Sequence, residues 1–360
     1  MLNERPILLS ALALLCATSA SGASAEQTPY TLAVATLARE STPWVDQLMA
    51  LQARVEAESD GRLRLRVFPG GTSAVMEPTG LRETDLVRSL EVPEGRFQGA
   101  LVATSTLDAV HDVPVLRIPE LPFLLDTGAE ADLVLDDLLR EPAEAALGER
   151  GLTLGAWSET GWRGVITRGR PADSPTAFSG LRLRVEQPDL YRDTVRALGA
   201  TPVQRSTRDA LPHFKLGHLD GVVATPFFAL AAGWIEPATH FTRTDHSYLA
   251  AAVVFSTEAL EDLPSDLRAL LLDGWRADSE AARAQVRAME PLLLERIEAK
   301  QKVVVDLTPA HREALREKSL PVHQAFLQDH PDLEPLYHEV QARLSAHRDP
   351  QGAHPRRAGE

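Results

Sequence analysis

The chain switches repeatedly between two hydrophobic periods, and each switch marks an element. Tyr30 to Leu37 is a short run of β type, after which Trp44, Leu48, Leu51 and Val55 recur at the spacing of one helix face until Gly61 ends it. Leu63 to Phe68 alternates strictly and runs into Pro69-Gly70-Gly71, a strand followed by a turn. Gly99 to Thr104 and Leu152 to Trp157 are apolar enough for strands buried on both faces of a parallel sheet. The pattern then restarts, with strands at Gly164 to Thr167, Leu181 to Val185 and Gly221 to Ala224 and a helix from about Pro188 to Leu198. Leu263-Pro264-Ser265 opens a long helical region whose apolar face runs through Leu267, Leu271 and Trp275 to Leu293 and Ile297, placed to brace both halves. Val303 to Val305 is a late strand, Thr308-Pro309 caps one more helix, and Asp349 to Glu360 is a polar tail. The halves share an α/β architecture without a sequence repeat.

Composition narrows the class. The 360 residues are 44% hydrophobic and 24% charged, which is globular, and the net charge of −14 argues against a nucleic-acid partner. Residues 1–25 read as an export signal, with Arg5, an apolar stretch from Ile7 to Cys16 and small residues at Ala23-Ser24-Ala25. The only cysteine, Cys16, leaves with that signal unless it carries a lipid. A periplasmic, cysteine-free mature chain is the resulting expectation.

Catalytic and cofactor templates are absent. The chain has no G-x-S-x-G, H-E-x-x-H, G-x-x-x-x-G-K-[ST] or G-x-G-x-x-G. His240 and His246 lie six apart, off a shared helix face, while His311, His323 and His354 fall in polar or terminal segments and read as solvated, so no metal or cofactor is expected. Two arginines stand out in apolar or small surroundings. Arg163 follows Glu159-Thr160-Gly161-Trp162 at the end of a predicted strand, and Arg184 closes Leu181-Arg182-Leu183-Arg184-Val185. A guanidinium fork at the carboxyl end of an α/β strand suits bidentate recognition of a carboxylate. The alternative is that both are surface residues or partners of nearby acids such as Glu159 or Glu186.

Several segments, from Tyr30 to Phe326, resemble the solute-binding proteins of tripartite ATP-independent periplasmic (TRAP) transporters, of the DctP type. Ser41-Thr42-Pro43-Trp44 is similar to the family's first helix start, Gly61 to Gly71 to its "GGRLKVEVFPGG" strand, and Leu121-Pro122-Phe123-Leu124-Leu125 to "LPFLF". Gly180 to Val185 followed by Leu198 to Val203 is similar to "GLKIRV … LGANPV". Leu219-Asp220-Gly221 resembles "VDG", and Leu263 to Leu267 resembles "LPPDLR". The resemblance implies a two-lobed periplasmic binding fold with crossing strands and a long hinge helix. Lobe I would hold residues 26–152 plus about 240–279, lobe II 153–239 plus about 280–330, and residues 331–360 a C-terminal helix and tail. It further implies that a monomeric or dimeric receptor, without enzymatic activity, captures a small organic acid and delivers it to TRAP membrane subunits. Arg184 would grip the ligand carboxylate, with Arg163 as a second contact, Thr104 and Ser105 facing the cleft from lobe I, and Trp44 on the wall. Ala224 stands where many relatives carry Asn. That makes the loop through Thr225, Phe227 and Phe228 more apolar and leaves room for an aromatic or branched acid, with Thr225 supplying a hydroxyl and Phe227 a wall; a carrier of apolar ligands or a sensor input is the competing implication.

Overall fold

The computed structural model describes residues 28–70, 82–92, 95–186 and 189–349. The proposed signal, the glycine ending the Pro69-Gly70-Gly71 turn, His354 and the polar tail beyond Asp349 lie outside them. In chain order come β1 (Tyr30–Ala35), α1 (Pro43–Glu58), β2 (Leu63–Phe68), α2 (Glu83–Ser89), β3 (Gly99–Ala103) and α3 (Thr104–His111). A 3-10 segment (Pro114–Glu120), α4 (Gly128–Leu133), a π-helical stretch (Val134–Leu139) and α5 (Arg140–Gly148) lead to β4 (Leu152–Trp162). Then follow β5 (Gly164–Thr167), β6 (Arg182–Val185), α6 (Asp189–Ala197), β7 (Thr201–Gln204), α7 (Thr207–Lys215), β8 (Gly221–Ala224) and α8 (Pro226–Ala231). The chain closes with β9 (His240–Arg243), β10 (Tyr248–Ser256), α9 (Thr257–Glu261), α10 (Ser265–Asp273), α11 (Trp275–Ala299), β11 (Val303–Asp306), α12 (Pro309–Asp329) and α13 (Glu334–Arg348).

The strands form two sheets, ordered β2-β1-β3-β10-β4 and β11-β9-β5-β8-β6-β7. Both are mixed rather than parallel: β10 runs antiparallel to β3 and β4, and β5 antiparallel to β8 and β9. The chain passes between sheets at Arg163, between β4 and β5, and returns through 244–247, between β9 and β10. By strand pairing, residues 153–162 therefore belong with the first sheet and 240–243 with the second. The expected division at 152/153 and 239/240 differs on both counts, because an apolar run does not reveal which sheet completes it.

Apolar periodicity sets the packing. Leu48, Leu51 and Val55 of α1 lie against Leu32, Leu63, Leu101 and Val253 of the first sheet, and Phe214, Trp234 and Ile297 against Ile166, Val222 and Phe241 of the second. At roughly 25 cal/mol per Å² of apolar surface removed from water, such faces dominate the stability of each layer. The long helical region divides at Gly274, over which the Arg54 guanidinium lies while donating to the Leu270 and Leu271 carbonyls. A Cβ at Gly274 would sit 2.5 Å from that guanidinium carbon. Beyond the break, α11 packs on α1 and β4 of one layer and on α8 and β11 of the other, so it braces both. Thr308 caps α12 by accepting from the His311 N–H, with Pro309 in the first turn. The end of the chain folds back onto the first half: Asp126 meets Arg312 and Arg316 of α12 at 2.7 Å each, and Arg348 of α13 reaches Asp126 at 3.0 Å and Glu130 at 2.8 Å.

Candidate functional site

Strand β6 lies inside the second sheet, parallel to β7 and β8, so these three strands present their carboxyl ends together. Period 2 puts Arg182 and Arg184 on one face with different fates. Arg182 is exposed and pairs with Asp220, whereas the Arg184 side chain is 1% exposed beside Trp234, with its guanidinium carbon 5.0 Å from the ring centre. Every nitrogen of Arg184 donates. Nε gives to the Arg205 carbonyl at 3.0 Å, one terminal nitrogen to Thr207 Oγ1 at 3.3 Å, and the other to Glu186 Oε1 at 2.7 Å.

Arg163 arrives from the crossing between the sheets. Its N–H donates to the Ser247 carbonyl and its own carbonyl accepts from the Thr244 hydroxyl, which ties the two crossing segments together. Its guanidinium carbon is 4.0 Å from the Tyr191 ring centre, and both terminal nitrogens donate to Glu186 Oε2, at 3.2 and 3.3 Å. One carboxylate thus bridges two buried arginines. Burial by itself would raise the Glu186 carboxyl, but Arg163 and Arg184 beside it win and hold it below the ordinary value.

The same cluster reaches the first layer. Tyr191 donates to Glu120 Oε2, and Glu120 Oε1 lies 3.4 Å from Thr104 Oγ1. Burial pushes the Glu120 carboxyl up to about 7 against the opposing pull of Arg163 and the Tyr191 hydrogen bond. Glu83, bonded by Thr106, is likewise pushed up to about 7 by burial. Between the layers lies a cavity of about 410 Å³ with Arg82, Arg88, Ser105 and Thr106 on one side and Glu186 on the other. That volume suits a small metabolite.

The expected residues divide accordingly. Arg163 and Arg184 meet through Glu186, and Ser105 shares the cavity with that carboxylate. Thr104 is fully buried and donates to the Ala250 carbonyl, while Trp44 donates through Nε1 to the Glu159 carbonyl at 2.8 Å and packs on the first core. Thr225 caps α8 by accepting from the Phe228 N–H, and Phe227 stacks edge-on against Phe228; neither ring forms part of the cavity wall. Glu159 serves Arg287 and Tyr248 instead of Arg163. His323 is buried between the Tyr337 hydroxyl and the Pro122 carbonyl, correcting its expected solvation. Among the described residues no cluster of His, Cys, Asp and Glu has the arrangement of a metal site, and no helix is long and apolar enough to cross a membrane. The alternative reading of the arginines as partners of a nearby acid holds for Glu186, which pairs with both; Tyr191 is the neighbour that sequence reasoning did not single out.

Residues 34–329 match the model of DctP, the bacterial extracellular solute-binding protein family 7. The chain belongs to this family. A solute-binding protein of Chromohalobacter salexigens is 24% identical to it over 234 residues, covering 64% of this chain and 68% of that protein. The 2,3-diketo-L-gulonate-binding periplasmic protein YiaO of Escherichia coli is 23% identical over 294 residues, 80% of this chain and 85% of its own. Among solved structures, a TRAP periplasmic solute-binding protein from Chromohalobacter salexigens with bound D-glucuronate superposes with a TM-score of 0.77 at 20% identity, covering 86% of this chain and 99% of that one. The two-sheet architecture of this family 7 chain is therefore that of the TRAP binding proteins, and the family consists of solute-binding proteins.

Proposed function

We propose that the chain is a periplasmic receptor that captures a small organic acid by closing two lobes on it and passes the acid to TRAP membrane subunits, without a catalytic step. The supporting observation is the pair of buried guanidinium groups converging on one carboxylate at the wall of the cavity between the sheets. A site that already binds a carboxylate this way has the chemistry to bind another. The ligands named for two relatives, a diketogulonate and a glucuronate, are both sugar acids and point in the same direction.

In this reading residues 1–25 are the export signal, β1–β4 and β10 form one lobe, and β5–β9 and β11 form the other. Arg184 takes the ligand carboxylate, Arg163 assists from the crossing, and Ser105 approaches from the opposite lobe. Trp44, Thr104, Thr225 and Phe227 keep the packing and capping roles their contacts describe. Closure drains water from the cleft and strengthens the ion pair. Losing one partner of such a pair costs about 2–5 kcal/mol of binding.

The test is thermal unfolding of residues 26–360 with D-glucuronate, succinate and benzoate, beside Arg184→Ala. Ligand at a hundredfold excess over Kd stabilises by about 2.7 kcal/mol. The expected result is a shift with at least one acid that disappears in Arg184→Ala. No shift with any acid, or a shift that persists in the variant, overturns the proposal.

A further inference from the structure

We propose that Glu186 is an internal carboxylate gate that determines which acids reach the arginines; the inference rests on the carboxylate reading above. Arg163 and Arg184 have side chains 4% and 1% exposed, whereas the Glu186 side chain that bridges them is 32% exposed and lines the cavity. Glu186 therefore stands between the ligand space and both guanidinium groups. It is also the one member of the trio that solvent reaches substantially, hence the one with room to swing away. An entering carboxylate must take over the bonds that Glu186 makes, two to Arg163 through one oxygen and one to Arg184 through the other.

The exchange is nearly balanced in bond type, one carboxylate for another, so little net affinity comes from the arginines alone. Acids that offer only a carboxylate gain least. Acids that also fill the cavity and engage its far wall, where Arg82, Arg88, Ser105 and Thr106 lie, gain most. The displaced Glu186 opens into the same cavity as Arg82 and Arg88, two exposed cations that share Asp85 as their partner. Specificity thus arises from an intramolecular competitor as well as from contacts to ligand.

Glu186→Gln keeps the shape and removes the charge. Calorimetric titration of wild type and variant with succinate, D-glucuronate, benzoate and glycine betaine, alongside thermal unfolding without ligand, separates the possibilities. The expected result is opposite movement: a lower midpoint for unliganded Glu186→Gln, because two buried cations lose their partner, and at least tenfold tighter binding of the acids. A residue that only supports the fold would lower both. Should Glu186→Gln fail to fold, Glu186→Asp retains the charge on a shorter arm unable to span both arginines, and the same tightening is expected at smaller size. Acid binding that is unchanged or weaker in the variant removes the gate and leaves the carboxylate reading standing. Binding of glycine betaine by wild type that is lost in Glu186→Gln also overturns the gate, since Glu186 is then a contact for a cationic group. No acid binding by either protein overturns the gate and the carboxylate reading together.

Discussion

Two arginine pairs in this molecule have opposite charge balance. On α11, Arg283 and Arg287 face three carboxylates: Asp132 and Asp136, which pair with Arg283 at 2.6 and 2.5 Å, and Glu159, 2.9 Å from Arg287. Asp136 and Glu159 are buried, and Tyr248 adds a hydrogen bond to Glu159. Arg163 and Arg184 share one carboxylate, and that one is the most exposed member of its trio. Glu120, the other acid near Arg163, is held toward its neutral form by burial. The first cluster sets three carboxylates against two arginines and touches solvent only through Asp132 and Arg287, while Arg283, Asp136 and Glu159 are buried, which makes it a clamp between α11 and the first layer. The second is short of anion and opens on a cavity, which makes it receptive to an external one.

The largest effect should come from opening the clamp. Arg283→Ala leaves Asp136 buried without its main partner, and breaking one side of a buried ion pair costs about 3–5 kcal/mol. A large drop in the urea midpoint is expected, with acid binding by the remaining folded protein unchanged. An equal loss of binding would mean that the two clusters are one unit. A subtler effect concerns pH. The Glu120 carboxyl titrates near 7 in the folded protein against 4.5 when free, so between those values the native state holds a proton that the unfolded chain has lost. Stability at this residue therefore falls as pH rises through that window. In urea titrations Glu120→Gln should match wild type near pH 4.5 and exceed it by a growing margin toward pH 7.5; a constant margin would show that Glu120 does not titrate there. The smallest effect belongs to exposed pairs. Asp306 is 72% exposed against Arg243, and Asp306→Asn should leave the urea midpoint unmoved within error.

Much of this was legible in the chain itself, but unevenly. Two α/β halves, the bracing helix, the Thr308 cap and the two unusual arginines follow from periodicity and local chemistry, which act over a few residues. Strand β10 does not. Its nine residues are all buried and, up to the final Ser256, form one apolar run, which carries no period to distinguish a central strand from a buried helix. That gap propagates to Thr104: its place after β3 suggests a cleft residue, yet its hydroxyl is taken by the Ala250 carbonyl of the unread strand. Trp44 is similar, since its partner is 115 residues away. Glu186 was visible as a neighbour of Arg184, but its bridging role depends on the crossing that brings Arg163 alongside.

The grip of Arg312, Arg316 and Arg348 on Asp126 orders events in time as well as space. A chain synthesised from its N-terminus presents Asp126 and Glu130 long before the cations that neutralise them exist. The first half is then an unfinished object, carrying unpaired acids and an uncovered surface, until almost the whole polypeptide has emerged. The first half is consequently completed by the tail, and removing α13 should lower the urea midpoint, since Glu130 loses its arginine and Asp126 one of its three.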